Sequence, residues 1–310
     1  MEKQMKHNLI VLLGPTASGK TRLAARLAAE FGAELISADS RQVYRGMDIG
    51  TGKDLSEYVV DRVPVPCHLI DVAEPGHLFS VFEFQQRFYC CFREISGRGR
   101  MPILVGGTGL YIESVLREYR MLPVPEDALL RGELAGKSME ELAAMLLHLN
   151  PAIHNTTDLT GRERLVRAIE IALHTARNGS QEAIERPDIV PLVIGIRWDR
   201  SVLRERITRR LEERLGQGMI AEVQRLRDEG VSWERLDEMG LEYRYVSLYL
   251  RGELAFEEMV RTLNIRIHQF AKRQDTWFRG MERRGITIHW IEGADVEALR
   301  ALVRSESERR

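Results

Sequence analysis

Cysteine is scarce in this chain. Cys67, Cys90 and Cys91 are the only three in 310 residues, and two of them are adjacent. That excludes a disulfide framework, offers no C-x-x-C metal spacing, and leads us to expect reduced thiols in a cytoplasmic protein. An excess of charge of one sign is missing as well: 45 Lys and Arg stand against 46 Asp and Glu, for a net charge of −1. The molecule as a whole is therefore no basic nucleic-acid binder, and any polyanion must be met by a local patch. No apolar run is long enough to span a bilayer, residues 1–7 do not read as a signal peptide, and no membrane is expected as a partner. Internal repeats are absent, and the one polar tract is the tail 305–310. What is present is ordinary for a globular chain with room for about two domains, 44% apolar and 29% charged residues.

Up to about residue 115, strands and helices alternate, the pattern of a parallel sheet with helices on its faces. Strands are predicted at 10–13, 34–37, 68–71 and 103–105, with helices at 21–31, 81–96 and 109–117. Beyond Pro123 and Pro125 the strand signal stops, and 133–148 and 162–175 read as helices. We expect an α/β fold: a P-loop parallel-sheet core formed by 1–116 and 186–310, carrying a mostly helical insertion over 117–185. A strand returns at 189–197, helices follow at 201–229, 243–250 and 257–279, and a last short strand lies at 286–291.

Gly14-Pro15-Thr16-Ala17-Ser18-Gly19-Lys20-Thr21 is a complete G-x-x-x-x-G-K-[ST] loop. It follows the apolar run Leu9–Leu13 and precedes a helical pattern, the context in which such a loop binds phosphate, as in ATP-binding and other nucleotide-binding proteins. Backbone N–H groups and the helix dipole converge on an anion, Lys20 adds a point charge, and the Thr21 hydroxyl can ligate Mg²⁺. Asp39 ends the second strand, where ligands of open α/β sheets sit. It is either a magnesium ligand, a general base, or a cap for the next helix. Gly50 and Gly52 allow close backbone approach, and Lys53 either serves phosphate or is solvated. The strand 102–105 ends in Gly106-Gly107-Thr108 instead of an acid, which argues against an ATP-driven motor. From Arg261 to Gly285, Lys and Arg outnumber acids, with Phe270, Trp277 and Phe278 among them. This is either a surface for RNA, where guanidiniums meet phosphates and rings stack on bases, or an amphipathic helix with its rings inward. Arg204, Arg206, Arg209, Arg210 and Arg214 form a second run, diluted by Glu205, Glu212 and Glu213, from which one or two arginines can turn inward.

Together these segments resemble the bacterial tRNA dimethylallyltransferases. The matching pieces are the 14–21 loop, Asp39-Ser40-Arg41-Gln42-Val43-Tyr44 through Lys53, His68–Asp71, Val105-Gly106-Gly107-Thr108-Gly109-Leu110-Tyr111, Arg164–Glu170 and Ala271-Lys272-Arg273-Gln274-Asp275-Thr276-Trp277-Phe278-Arg279. The likeness runs in order along nearly the whole chain. It implies transfer of a dimethylallyl group from dimethylallyl diphosphate to N6 of adenine 37 in tRNA by a cytoplasmic monomer that uses Mg²⁺. Asp39 would accept the N6 proton, while Thr16, Lys20, Thr21 and Arg210 would stabilise the departing pyrophosphate. Contacts to tRNA would come from Asp39, Ser40, Arg41 and Gln42, from the Gly107-Thr108 edge, and from Arg131. Others would come from Glu163, Arg164, Leu165, Val166 and Arg167, from Met239, Gly240, Leu241, Glu242, Tyr243 and Arg244, and from the whole of 272–279. The insertion would clamp the anticodon stem, with the flipped adenine entering a channel. The chain departs from the family pattern at Met239–Glu242, where many members carry Val-Gly before Tyr-Arg, and at Gly161–Arg164. Three other readings remain: an adenylate isopentenyltransferase, a small-molecule P-loop kinase, and a non-catalytic RNA-binding or nucleotide-switch module.

Overall fold

The computed structural model describes residues 6–119, 121, 123–149, 161–178 and 186–308. Runs of Leu, Ile and Val with no polar alternation need cover on both faces, and a parallel sheet between helices provides it. The strands are β1 (Leu9–Leu13), β2 (Glu34–Ala38), β5 (Cys67–His68), β6 (Pro102–Gly106), β7 (Pro191–Arg197) and β8 (His289–Glu292). They lie in the order β5-β2-β6-β1-β7-β8, with every pairing parallel. Leu12 stands opposite Val105 on one side and Ile194 on the other. All five residues of β1, β2 and β6 are buried. A short antiparallel hairpin, β3 (Val59–Val60) and β4 (Val63–Pro64), turns through Asp61 and Arg62, both left-handed.

Helices α1 (Lys20–Phe31), α2 (Val81–Gly97) and α3 (Gly109–Leu116) follow the first strands. In α1 the residues Leu23, Ala24, Leu27 and Ala28 recur at helical spacing and are buried. The helix ends at left-handed Gly32, whose N–H returns to the Ala28 carbonyl. A second compact unit spans Tyr119–Arg186, apart from the one made by Met1–Glu118 and Pro187–Arg310. Its helices α4 (Ala128–Leu134), α5 (Met139–Leu149) and α6 (Arg162–Asn178) surround Leu134, Leu142, Leu146, Leu165 and Ile169. The stretches 150–160 and 179–185 of the expected insertion lie outside the described residues. After β7 come α7 (Arg200–Gly216), α8 (Met219–Asp228), α9 (Trp233–Glu238), α10 (Leu241–Leu250), α11 (Phe256–Arg283) and α12 (Val296–Glu308). No helix among the described residues is long and apolar enough to cross a membrane.

Several boundaries differ from the sequence reading, each for a local reason. The strand expected at 68–71 stops at His68, because Leu69 and Asp71 take left-handed backbone that cannot continue a ladder. The helix expected at 133–148 is two helices. Ser138 starts the second with a reciprocal capping box: its hydroxyl accepts from Glu141 N at 3.2 Å and Glu141 accepts from Ser138 N at 2.6 Å. The long helix expected at 201–229 breaks at Gly218 (φ 102°). The tract 305–310 is not a tail throughout, since α12 runs to Glu308 with Leu299 and Val303 buried against the sheet's second face.

Gly106 pairs with Ala38 across β6 and β2, and a Cβ at 106 would collide with the Ala38 carbonyl. Gly106→Ala should therefore lower stability by about 1–3 kcal/mol in a urea titration, as overpacking does. Gly97→Ala, at the end of α2 where an added Cβ meets nothing within 4 Å, should leave the midpoint unchanged or slightly raised.

Candidate active site

The carboxyl ends of β1, β2 and β6 open into a cleft of about 1070 Å³. Between β1 and α1 the chain passes through Ala17 and Gly19, both left-handed (φ 61° and 84°), and Gly19 caps α1 without any side-chain hydrogen bond. The uncapped N–H groups at the start of α1 are the kind of cradle that takes an anion. Other elements hold this 14–19 loop from outside. Arg206 Nε donates to the Ala17 carbonyl at 2.8 Å, Trp198 Nε1 to Ser18 O at 3.0 Å, and Thr16 N to Gln274 Oε1 at 2.8 Å. Lys20 Nζ folds back onto the Pro15 carbonyl at 3.2 Å. Burial pushes the Lys20 amine down to about 8; Asp39 opposes that shift, while Arg210 and Arg214 add to it.

Asp39 follows β2 and uses one oxygen, Oδ1, to accept from Arg41 N at 2.9 Å and Gln42 N at 3.3 Å. The segment after Asp39 is a turn and not the helix expected there, so the carboxylate caps a turn with one oxygen, and the residue also lines the cleft. Thr108, at the head of α3, accepts from Ser40 N at 3.1 Å and donates its own N–H to Ala38 O at 3.2 Å. The turn after β6 therefore positions the turn that carries Asp39.

Residues 48–53 form the far wall. Glu222 of α8, buried, accepts from the N–H groups of Asp48, Ile49 and Gly50 at 2.9, 2.7 and 2.9 Å and from Tyr243 OH at 2.7 Å. Glycine is required at 50, where a Cβ would lie 2.6 Å from the Tyr243 ring, and at 52, where it would strike the Arg214 guanidinium. Lys53 takes neither role expected of it. It is buried, donating to Tyr44 O at 2.8 Å, to Asp48 at 2.7 Å and to Asp71.

Arg206, Arg210 and Arg214 stand four residues apart on α7 and all line the cleft. Arg210 donates to Gly52 O at 3.1 Å, and Arg214 donates to Gly50 O at 3.4 Å and to Glu242 at 3.1 Å. Burial, and then the neighbouring charge of Arg214, bring Arg210 down to about 10. Glu57, on the short turn Leu55–Tyr58, is raised by burial while Arg210 pulls it the other way. Cationic and acidic side chains line the cleft in equal number, but Lys20 and Arg210 are both lowered by burial, and such desolvated cations favour an anion beside them.

The cleft brings together Thr16, Ala17, Gly19, Lys20, Thr21, Asp39, Ser40, Arg41, Gln42, Thr108, Arg210, residues 239–244 and Gln274. Ser18 is fully buried beneath the loop. Four residues expected at a nucleic acid have almost no accessible surface: Tyr243, Phe278 and Leu165 fall on the inner faces of their helices and Met239 packs in the core just after α9, although Met239 and Tyr243 also border the cleft. Lys272, Arg273, Thr276, Trp277 and Arg279 lie exposed along α11, with Asp275 half-buried among them. In the second unit Glu163 and Arg164 are exposed and Leu165 is core. Arg131 and Arg167 both bind Glu170, at 2.6 and 2.9 Å. Burial would raise the Glu170 carboxyl, but these two partners hold it down at about 2. Sequence reasoning missed Glu57, Trp198 and Glu222, and left open which of the run Arg204, Arg206, Arg209, Arg210 and Arg214 turn inward; three do, Arg206, Arg210 and Arg214. For the arginines the signal existed in their i, i+4, i+8 spacing; for Glu222 and Trp198 nothing local marks them.

A family model described as IPP transferase matches residues 42–281, and one described as isopentenyl transferase matches residues 7–63. A protein of Syntrophus aciditrophicus named tRNA dimethylallyltransferase 1 is 60% identical over 96% of this chain and 97% of its own length. The crystal structure of the tRNA isopentenylpyrophosphate transferase of Bacillus halodurans aligns with a TM-score of 0.70 at 33% identity, covering 98% of this chain and 97% of that one. A Staphylococcus epidermidis tRNA isopentenylpyrophosphate transferase structure gives a TM-score of 0.68 at 31% identity, over 97% and 99%.

The lowered Lys20 pKa makes anion uptake sensitive to pH. Lys20 is charged below about pH 8 and neutral above it, so attraction is present on the acid side and lost on the alkaline side. The affinity of the free protein for inorganic pyrophosphate should hold below pH 8 and weaken above it, by up to about tenfold per unit. Titration calorimetry against Lys20→Met isolates the effect from the ligand's own ionisation, since the difference between the two proteins should vanish at high pH. A difference that persists unchanged to pH 10 would show that Lys20 does not lose its proton there.

Proposed function

The chain belongs to the IPP transferase family and transfers a dimethylallyl group to adenine 37 of tRNA, and we propose that it does so in the cleft at the carboxyl ends of β1, β2 and β6. In this reading the 14–21 segment is a P-loop that grips the diphosphate of dimethylallyl diphosphate. The observation that carries it is the meeting of Lys20, Arg210 and Asp39 in one cleft: cations for a leaving group beside a carboxylate for a proton. The exocyclic N6 attacks C1 of the dimethylallyl group, the C1–O bond breaks, and its electron pair leaves on pyrophosphate. Thr16, Lys20, Thr21 and Arg210 stabilise that growing charge, and Asp39 takes the proton from N6. Asp39 Oδ2, which carries no hydrogen bond among the described residues, is the oxygen assigned to this step.

Magnesium fits the donor set. Thr21 and Asp39 offer hard oxygen donors on one cleft wall, and Mg²⁺ is commonly held by one or two protein oxygens with phosphates and water completing its shell. Among the described residues no group of three His, Cys, Asp or Glu stands ready for a metal. We assign Thr21 as the protein ligand, and the ion, when bound, would neutralise charge on the diphosphate.

For tRNA we assign the exposed face of α11, with Lys272, Arg273, Thr276, Trp277 and Arg279, and the cleft residues Ser40, Arg41 and Arg244. Glu163 and Arg164 of the 119–186 unit are assigned to the anticodon stem. The protein is read as acting as a monomer in the cytoplasm.

Incubation with labelled dimethylallyl diphosphate and either unmodified tRNA, AMP or ATP tests the acceptor: label should move to tRNA alone, and label on AMP would favour a free-nucleotide transferase. Asp39→Asn retains the turn but cannot accept a proton, so turnover should fall by about 10²–10⁴ while tRNA affinity stays within a factor of about two. Replacing both Lys272 and Arg273 by Ala should lower the slope of log affinity for tRNA against log salt by roughly 1.5, with pyrophosphate affinity unmoved. An unaltered slope would make this helix face an ordinary solvated one.

A further inference from the structure

Within 272–279, the segment most like an RNA-contacting surface, one residue faces the other way. Helical spacing groups Gln274 with Ala271 and Phe278 on the buried side of α11, while Lys272, Arg273 and Trp277 are exposed. Only 8% of Gln274 is accessible, and both ends of its amide are engaged inside the protein. Oε1 accepts from Thr16 N at 2.8 Å, and Nε2 donates to Gly107 O at 2.9 Å. One partner is a donor and the other an acceptor, so they fix which way the amide points.

Those two contacts join chain segments about ninety residues apart at the point where the chemistry is assigned. Thr16 lies in the middle of the 14–19 loop. Gly107 sits against the loop's lysine: a Cβ there would be 2.5 Å from Gln274 Nε2, 3.3 Å from Gly14 O and 3.4 Å from Lys20 Nζ. Two residues on, Gly109 packs so closely on Trp277 that a Cβ would overlap its ring. Thr108 between them holds Ser40 beside Asp39. The α11 helix therefore grips the 106–109 turn twice, and through Gln274 it also holds the loop.

We propose that Gln274 is a positioning residue for the diphosphate and not an RNA contact: its amide clips the 14–19 loop to the 106–109 turn and sets the geometry in which Thr16 and Lys20 meet the anion. This rests on the reading that the diphosphate occupies the loop. A left-handed non-glycine residue at Ala17 gives the loop a backbone state that outside contacts must maintain. The clip is one such contact. Removing both of its hydrogen bonds leaves the Thr16 N–H and the Gly107 carbonyl without their partner.

Calorimetry on the full chain separates the two roles. Gln274→Met keeps the side-chain length and packing and removes both hydrogen bonds. Its affinity for inorganic pyrophosphate should fall about tenfold, with kcat reduced and tRNA affinity within a factor of about two. Lys272→Ala, two residues away, should do the reverse, weakening tRNA and leaving pyrophosphate alone. Should Gln274→Met not fold, Gly107→Ala displaces the same amide from the other side with Gln274 in place, and the same loss of pyrophosphate affinity is expected. Pyrophosphate binding equal to wild type in the variant that folds would overturn the proposal, as would a loss of tRNA affinity matching that of Lys272→Ala. If wild type itself takes up no pyrophosphate, the diphosphate reading fails and the inference falls with it, a result legible before any variant is compared.

Discussion

Desolvated positive charge at the carboxyl end of the sheet is the constraint around which the rest is arranged. Lys20, Arg206, Arg210 and Arg214 all line one cleft, and burial lowers the pKa of Lys20 to about 8 and of Arg210 to about 10. Crowding cations away from water is unfavourable unless carbonyls, carboxylates or a ligand compensate it. Here each arginine donates to a backbone carbonyl of a loop it must hold: Arg206 to Ala17, Arg210 to Gly52, Arg214 to Gly50. The same contacts that relieve the buried charge position the walls of the cleft. In the proposed function the departing diphosphate supplies the rest of that compensation.

The cleft is also a meeting of distant segments. The loop after β1 is short and local, but its restraints come from Trp198, Arg206 and Gln274, all more than 170 residues further along. Glu222 does the same for the 48–50 backbone, where three successive N–H groups converge on one carboxylate. Such a nest of amides would otherwise attract any anion. With Glu222 seated in it that nest is filled, which leaves the positive end of α1 and the α7 arginines as the anion site proposed here. Helices α7, α8 and α11 thus act as a brace for loops that a bare α/β sheet would leave mobile.

Much of this was legible in the chain before folding. The order of strands and helices up to residue 116, the glycine loop at 14–21 and Asp39 at the end of a strand follow from patterns that act over a few residues, whereas the family resemblance alone singles out Arg210. Misreadings came where local pattern is ambiguous. An apolar segment at 68–71 has strand composition, yet left-handed Leu69 and Asp71 end the strand. Lys53, next to glycines, looks like a phosphate ligand, yet it is buried between Asp48 and Asp71. Tyr243, Gln274 and Phe278 share segments with exposed residues, and only the helix phase against the core separates the two sets.

The sequence by itself determined where an anion site is to be sought: a glycine loop at a strand–helix junction turns its backbone N–H groups one way, whatever surrounds it. It also determined the α/β alternation, since continuous apolar strands require helices on both faces. Tertiary structure alone decided which polar side chains face the cleft and which hold it together. Gln274, Glu222 and Trp198 find loop partners between 167 and 258 residues away, and no spacing rule reaches that far. Burial decided the rest, because the protonation of Lys20 depends on how much water and how many neighbouring charges the finished fold leaves around it.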